Sequence, residues 1–284
     1  MFLLLYTVHR SDIIEEIQTE MVCFVMVCAE FPIINRDDQL PYPRFCAHRG
    51  CSKAAPENSM AAFAAALELG AAEIEFDLWP TADGEIVSTH DAVLDRCSDG
   101  TGKVSDHTYA ELLQYDFGIR WGSAFQGTKI PRFEEILQTF GRRIILNVEL
   151  KTPDLVTPLP ESYLQRILTL IRQYGCENHA YLMTGNDAVM EQLIRLAPDL
   201  PRCCGGGGTV ERRWQIVDRA IRFGCKKLQF HRDCFNRAMI EQAHAHGIIC
   251  NVWWSDDPDE CARFFALGID TVLTNDFAAV RHIL

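Results

Sequence analysis

Two carboxylates interrupt an apolar stretch, IEFDLWP, that begins at Ile74. Glu75 and Asp77 are two residues apart, and residues at that spacing on a β-strand point to the same side. A third carboxylate, Glu149, precedes Lys151 by the same spacing in the segment RRIILNVELK. Buried carboxylates that lie close together are costly because they repel one another. A divalent cation would remove this repulsion, and oxygen-only ligands favour Mg²⁺ or Ca²⁺ over zinc.

Two histidines and two cationic side chains accompany these carboxylates. His48 ends the strand-like segment RFCAH and is followed by Arg49, while His90 lies in the segment ADGEIVSTHD. Arg49, Lys151 and a divalent cation would together form an anion site, for which phosphate is the natural ligand. Histidines beside such a phosphate suit general acid and general base roles.

The surrounding sequence indicates which elements position these residues. From Arg44 onward, strand-like and helix-like segments alternate as eight units, the number found in an α/β fold of the (β/α)8 TIM-barrel type. Catalytic groups of such barrels lie at the carboxyl ends of the strands, where these residues are placed. The connection from Asp77 to Pro131 lacks one clear helix. It predicts an insertion after the second strand, about residues 80–129, above the catalytic end of the barrel.

Composition excludes several classes of protein. The 284-residue chain has a formal net charge of -12, which argues against a dedicated nucleic-acid-binding protein. The 12 cysteines form no C-x-x-C pair, so the usual zinc spacing is missing. They are typical of reduced thiols in a protein core, which predicts a cytoplasmic location.

The first 44 residues carry none of the chemistry described above. We interpret residues 1–44 as an N-terminal extension of unknown role and residues 45–284 as the barrel domain. The apolar stretches at the start of the chain and from Met21 are too short to cross a membrane, so no transmembrane segment is predicted. The sequence leaves the oligomeric state open.

Taken together, the motifs resemble those of the glycerophosphodiester phosphodiesterase family, a group of TIM barrels similar to phosphatidylinositol-specific phospholipase C. The segments HRG, PEN, GAAEIEFD, TADG and HD occur here in the family's order. The likeness continues through IPRFEEIL, NVELK, NVWW and LTND, and it covers residues 45 to about 277. No single segment is specific, but the combination is.

This resemblance implies a role for each candidate residue. One divalent cation, Mg²⁺ or Ca²⁺, would bind Glu75, Asp77 and Glu149; His48 and His90 would form the acid–base pair; Arg49 and Lys151 would hold phosphate oxygens; and Trp253 would line the pocket. The implied reaction on a small-molecule substrate is hydrolysis of a glycerophosphodiester to sn-glycerol 3-phosphate and an alcohol. Which histidine is the acid, and whether water or a glycerol hydroxyl attacks, stays open.

Two other functions fit the same motifs. One is a lysophospholipase D acting on lysophospholipids, for which Trp254, Phe125 and Phe133 are candidate walls of an apolar groove. The other is a catalytically silent barrel that only binds phosphodiesters. The complete set of acid–base and metal-ligating residues argues against the silent barrel.

The chain departs from the family pattern at three places, which we expect to lie around the alcohol of the substrate and not around the metal. They are Trp253-Trp254-Ser255-Asp256 for W-T-V-N, Ile130-Pro131-Arg132-Phe133 for I-P-T-L, and Thr274-Asn275 for T-D.

Some polar residues have simpler structural interpretations. Glu73 shares the parity of Glu75 but is expected at the N-terminal end of the strand, in a structural role. Asn58 or Ser59 is expected to cap the following helix. Asn58 could also reach the site, but the cap is its expected role. Glu75 and Asp77 themselves could instead be ion-pair partners of buried arginines.

Overall fold

The structure, a computed structural model, describes residues 40–284. The expectations for most of the N-terminal extension therefore lie outside the described residues. The described strands are β1 (Arg44–His48), β2 (Glu73–Pro80), β3 (Ile86–Ser88), β4 (Ile145–Leu150), β5 (Ala180–Thr184), β6 (Arg202–Gly205), β7 (Lys227–His231), β8 (Ile249–Trp253) and β9 (Thr271–Thr274).

Eight of these strands close into a parallel barrel. The order is β1-β2-β4-β5-β6-β7-β8-β9, and β9 pairs with β1 to complete the ring. The short strand β3 pairs antiparallel with the end of β2 and stays outside the ring. The predicted (β/α)8 barrel with an insertion after its second strand is confirmed.

Helices surround the barrel and follow its strands. They are α1 (Met60–Glu68), α2 (Tyr109–Leu112), α3 (Phe133–Phe140), α4 (Glu161–Gln173), α5 (Asp187–Leu196), α6 (Val210–Trp214), α7 (Ile216–Arg222), α8 (Arg237–Ala245), α9 (Pro258–Leu267) and α10 (Phe277–Val280). The segment VERRWQIVDRAIRFG after β6 contains two of these helices, α6 and α7.

Strand β2 shows how the sequence pattern directs side chains. Ile74, Phe76 and Leu78 are fully buried in the main hydrophobic core. The alternating residues Glu73, Glu75 and Asp77 point the other way, into the barrel, because side chains alternate along a strand. All three carboxylates are also buried, so each requires a charged or polar partner.

Glu73 finds its partners at the N-terminal end of the barrel. Arg44 Nε donates to Glu73 Oε1 over 2.7 Å, and Lys227 Nζ lies 3.2 Å from the same oxygen. Tyr181 donates its hydroxyl to Oε2 over 2.9 Å. Glu73 is therefore a structural ion-pair residue, as its position in the strand predicted.

The connection between β2 and α3 builds a small core of its own. Its buried apolar residues form a cluster separate from the main core: Val87, Leu94, Val104, Leu112, Phe117 and Ile130. This packing makes the long connection an ordered part of the barrel's C-terminal end. Among the described residues, no helix is long and apolar enough to cross a membrane.

Candidate active site

Strand register places the candidate residues side by side at the carboxyl ends of β1, β2 and β4. His48 is paired with Glu75 across β1 and β2, and Asp77 is paired with Glu149 across β2 and β4. Arg49 follows directly after β1, and it adopts a positive φ of 57°. Lys151 follows directly after β4.

The three carboxylates form one compact cluster. Each of Glu75, Asp77 and Glu149 offers an oxygen such that these atoms all lie within 4.8 Å of one another. Two cations border the cluster: Lys151 Nζ lies 3.3 Å from Asp77 Oδ1, and Arg49 Nε lies 3.6 Å from Asp77 Oδ2. Asp77 is thus an ion-pair partner, as the structural interpretation expected. Its partners Arg49 and Lys151, however, are themselves candidate site residues.

Charge repulsion in the cluster appears in the pKa values of its members. Burial, and then the charges of Asp77 and Glu149, raises the pKa of Glu75 well above its usual range. Burial also raises the pKa of Glu149, to about 7. Burial acts in the same direction on Asp77, but Lys151 and Arg49 outweigh it and hold the pKa of Asp77 low. The site therefore holds more negative charge than its own cations compensate.

These residues fit a hard divalent cation. Asp77 Oδ1 is buried and accepts no hydrogen bond from residues 40–284, although Lys151 lies nearby. An unsatisfied buried carboxylate oxygen facing two further carboxylates is the donor set that Mg²⁺ or Ca²⁺ prefers.

Asn58 holds the central ligand in place, the alternative to its expected role as a helix cap. Its side-chain amide donates to Asp77 Oδ2 over 2.8 Å, and its Oδ1 accepts from the backbone N–H of Asp77 over 3.2 Å. The helix cap is Ser59, which accepts from the N–H of Ala62 over 3.1 Å. The prediction that Asn58 caps α1 is wrong, because its φ of 55° turns the side chain toward β2 instead.

His48 has a fixed tautomer. Its Nδ1 lies 2.7 Å from Asn275 Oδ1, and Trp253 donates its indole N–H to Nε2 over 3.1 Å. Ser52 also donates to Asn275 Oδ1 over 3.1 Å, whereas the Nδ2 group of Asn275 faces Asp256 Oδ2 at 3.3 Å. These neighbours orient the Asn275 amide, so His48 carries its proton on Nδ1 and a lone pair on Nε2.

Burial and the charge of Arg49 make His48 a weak base in the metal-free site. They lower the pKa of His48 to about 4, against an opposing contribution from Asn275. Glu75 Oε2 lies 3.8 Å from Nε2. The histidine is therefore neutral at physiological pH.

His90 has a different environment. Its Nδ1 lies 2.6 Å from Asp91 Oδ1, and Arg96 Nε donates to the other oxygen of that carboxylate over 2.5 Å. The side chain of His90 keeps 31% of its exposure. Burial lowers the pKa of His90, while Asp77 and Asp91 oppose the shift. His90 is thus hydrogen-bonded to a carboxylate, whereas the described hydrogen-bond partners of the His48 ring are Asn275 and Trp253.

One departure from the family pattern lies at His48. Asn275 is the hydrogen-bond partner of His48, and Asp256 in turn accepts from the backbone N–H of Asn275 over 2.7 Å. The expectation that this departure surrounds the alcohol of the substrate stays a prediction. Asn275 reaches His48 because β9 closes the barrel beside β1.

The candidate residues open onto a cavity of about 300 Å³. Its wall includes His48, Arg49, His90, Glu149, Lys151 and Trp253. The buried members of the metal cluster, Glu75 and Asp77, lie beneath this wall. A volume of this order is at the small end of sites for small-molecule ligands.

Comparison with known proteins identifies the family. The sequence profile of the glycerophosphoryl diester phosphodiesterase family matches residues 48–279. The chain belongs to this family. A glycerophosphodiester phosphodiesterase of Caldanaerobacter subterraneus subsp. tengcongensis is 30% identical over 236 residues, which cover 81% of this chain and 93% of that protein. The predicted class, phosphoric diester hydrolase, is confirmed.

Solved structures of glycerophosphodiester phosphodiesterases share the fold. A phosphodiesterase of Oleispira antarctica, solved with the product sn-glycerol-3-phosphate, has a TM-score of 0.76 at 25% identity, covering 85% of this chain and 96% of the other. A putative family member from Galdieria sulphuraria gives 0.74 at 24% identity, covering 85% of this chain and 97% of the other. The latter likeness concerns the barrel alone.

Proposed function

We propose that this family member is a metal-dependent enzyme that hydrolyses glycerophosphodiesters to sn-glycerol 3-phosphate and an alcohol. The observation that carries the proposal is the joint presence of three clustered carboxylates and two histidines at one cavity. The product bound to the Oleispira antarctica enzyme supports the choice of substrate.

In this proposal Glu75, Asp77 and Glu149 hold one Mg²⁺ or Ca²⁺ ion. The ion neutralises negative charge that develops on the phosphoryl group. Arg49 and Lys151 hold the phosphate oxygens, since both cations line the cavity beside the carboxylates. Lys151 must then share its charge between Asp77 and the substrate, which keeps the phosphate close to the carboxylate cluster.

The hydrogen bonds of the two histidines favour different catalytic roles for His48 and His90. His48 is the general base, because Asn275 holds its Nδ1–H and its Nε2 carries the lone pair, which accepts from Trp253 in this structure. His90 is the general acid, because Asp91 stabilises its protonated form. The base takes a proton from the attacking hydroxyl, and the acid gives one to the leaving alkoxide.

Trp253 also has a proposed role in forming the wall of the cavity. Its indole lines the cavity and is half-buried between His48 and His231, with ring centroids 6.2 Å and 5.5 Å away. An aromatic wall in this position offers an apolar surface for the carbon chain of glycerol.

The proposed location is the cytoplasm. Ten of the 12 cysteines are described, and all ten carry free thiols, nine of them buried. Such thiols are typical of a reducing compartment.

A direct assay tests the proposal. Metal-stripped protein is incubated with glycerophosphocholine, with and without Mg²⁺ or Ca²⁺, and sn-glycerol 3-phosphate and choline are measured. We expect both products only when a divalent cation is present, and the more active ion identifies the cofactor. Release of glycerol and phosphocholine instead would contradict the proposed bond cleavage.

A second candidate function, lysophospholipase D, has one supporting observation. Val156, Val210 and Trp214 are exposed apolar side chains on the segments that follow β4 and β6, next to the cavity residues Leu155 and Arg213. The prediction that Phe125, Phe133 and Trp254 form the wall of an apolar groove is wrong. Phe125 and Phe133 are buried in hydrophobic clusters, and Trp254 does not line the cavity. Lysophosphatidylcholine in the same assay separates the two functions.

A further inference from the structure

The cavity extends beyond the proposed phosphate site to a second group of polar side chains. The carboxylates stand on β2 and β4, whereas β7 lies four strands from β2 in the eight-stranded ring, directly across the mouth. Arg213 on α6, Gln229 on β7 and His231 at the end of β7 line that opposite side. No step of the proposed hydrolysis uses these three residues.

Arg213 is a half-buried cation without a counter-ion. Among residues 40–284, no carboxylate lies within ion-pair distance of its guanidinium, and its Nε is buried without a hydrogen-bond partner. Its neighbour Arg212, by contrast, is held by Asp187 at 2.7 Å. An unpaired guanidinium in a cavity wall is poised to bind an anion, because a planar donor group matches an oxyacid.

The two residues that share this side of the cavity with Arg213 also present donors. The backbone N–H of Asp233 donates to His231 Nδ1 over 3.3 Å, so the free Nε2 carries the proton. Asn147 donates to Gln229 Oε1 over 3.4 Å, which leaves the Gln229 amide group as a donor. Asp233 lies 3.6 Å from the His231 ring on the side away from Nε2, and its side chain is 74% exposed.

The rest of the wall leaves room for a ligand and adds no opposing charge. Gly205, Gly206 and Gly207 line the cavity between the two groups, and they carry no side chains to fill it. The only carboxylate among the described wall residues is Glu149, which belongs to the metal cluster. The far side of the cavity is therefore cationic and donor-rich in a chain whose net charge is -12.

We propose that Arg213, with His231 and Gln229, forms a subsite for an anionic oxyacid group on the alcohol portion of the substrate. The inference rests on the proposed function, since it requires a phosphodiester seated at the carboxylate cluster. The enzyme would then prefer glycerophosphodiesters whose alcohol carries a carboxylate or a second phosphate over those whose alcohol is only cationic.

A pair of substrates isolates this contact. sn-Glycero-3-phosphoserine and sn-glycero-3-phosphoethanolamine differ only by the serine carboxylate. We expect Arg213→Gln to lower kcat/KM for the serine diester about tenfold, the loss of one charge-assisted hydrogen bond that solvent partly screens. The kcat/KM of the same variant for the ethanolamine diester should change by less than about twofold. Arg213→Glu should reverse the preference between the two substrates.

Arg222→Gln is the matched control, because Arg222 is an exposed arginine on α7 that pairs with Glu191 and does not line the cavity. Arg222→Gln should leave kcat/KM unchanged for both diesters. An equal loss on both substrates in Arg213→Gln, or no loss on either, overturns the subsite while the wild-type hydrolysis upholds the proposed function. If the wild-type enzyme with Mg²⁺ or Ca²⁺ cleaves glycerophosphocholine but neither of these diesters, the subsite is overturned. If it cleaves none of the three, the proposed function itself fails.

Discussion

His48 Nδ1 lies 2.7 Å from Oδ1 of Asn275, so an amide and not a carboxylate holds the proposed base of this enzyme. The family usually has T-D where this chain has Thr274-Asn275. A carboxylate beside an imidazole favours its protonated form, whereas a neutral amide fixes the tautomer without adding charge. The pKa of His48, at about 4, reflects burial and the charge of Arg49, which outweigh the opposing hydrogen bond to Asn275.

Asn275→Asp should therefore raise the pKa of His48 by about 1–2 units, because the new carboxylate stabilises the imidazolium. A base must be unprotonated to act, so the acidic limb of the kcat/KM profile should shift to higher pH. The profile is measured with the metal-loaded enzyme and glycerophosphocholine.

The control for this variant is the exchanged pair, Asn275→Asp with Asp256→Asn. Asp256 Oδ2 lies 3.3 Å from Asn275 Nδ2, so the single variant brings two carboxylates together and the exchange separates that effect. If the acidic limb stays in place in both variants, Asn275 does not set the basicity of His48.

Glu75→Gln should abolish metal-dependent hydrolysis and yet stabilise the metal-free protein. The pKa of Glu75 is raised by burial and by Asp77 and Glu149, so removing its ionisable group relieves a repulsion that otherwise requires a bound proton or the ion. The glycerophosphocholine assay measures hydrolysis, and thermal unfolding with and without Mg²⁺ or Ca²⁺ measures stability and metal binding. Glu161→Gln is the control, because Glu161 pairs with Arg195 on the exposed surface. A metal-induced rise in Tm that survives in Glu75→Gln would rule out the proposed ligand set.

Asn58→Gly should weaken metal binding about 10–100-fold, the usual effect of losing a residue that orients a metal ligand. Glycine keeps the positive φ of this position and removes both hydrogen bonds to Asp77. Calorimetric titration of the metal-free protein with Mg²⁺ or Ca²⁺ gives the Kd. The adjacent variant Ser59→Ala loses a helix cap, at about 1 kcal/mol of stability, and should keep the wild-type Kd. Equal Kd values for the two variants would refute a role for Asn58 at the metal.

His90→Ala should be impaired according to the leaving group. A p-nitrophenolate leaves as a stable anion and scarcely needs a proton, whereas choline leaves as a basic alkoxide. Loss of the acid should cost about 10²–10⁴ in rate on glycerophosphocholine and far less on a p-nitrophenyl glycerophosphodiester. His48→Ala should be impaired on both substrates. The reverse pattern would exchange the two roles, and equal losses in all four measurements would mean that both histidines only hold the phosphate.

Glu73→Gln should destabilise the barrel by about 3–5 kcal/mol, because Arg44 and Lys227 lose the carboxylate that they share in the interior. Burial opposes ionisation of Glu73, but these two cations outweigh it and hold its pKa below the usual range. The stabilisation is therefore present above the ordinary glutamate pKa and is lost as the pH falls toward the lowered one. Urea unfolding of both proteins should show a difference that shrinks below about pH 4. A difference that does not vary with pH would exclude this ionisation as its source.

The sequence predicted what depends on local pattern. Alternation along β2 predicted that Glu75 and Asp77 share a face, and the count of strand–helix units predicted the barrel. It could not predict contacts that depend on backbone conformation or on barrel closure. Asn58 reaches Asp77 only because its φ is 55°. Asn275 reaches His48 only because β9 returns to pair with β1.

The closure of the ring by β9 against β1 also sets the moment at which the site becomes complete during synthesis. His48 belongs to the earliest of the described strands to leave the ribosome, and the amide that orients it follows the latest. A nascent chain that has exposed the metal ligands of β2 and β4 still lacks the partner of its base. Premature termination before Thr271 would therefore yield a polypeptide with all three carboxylates and no oriented His48.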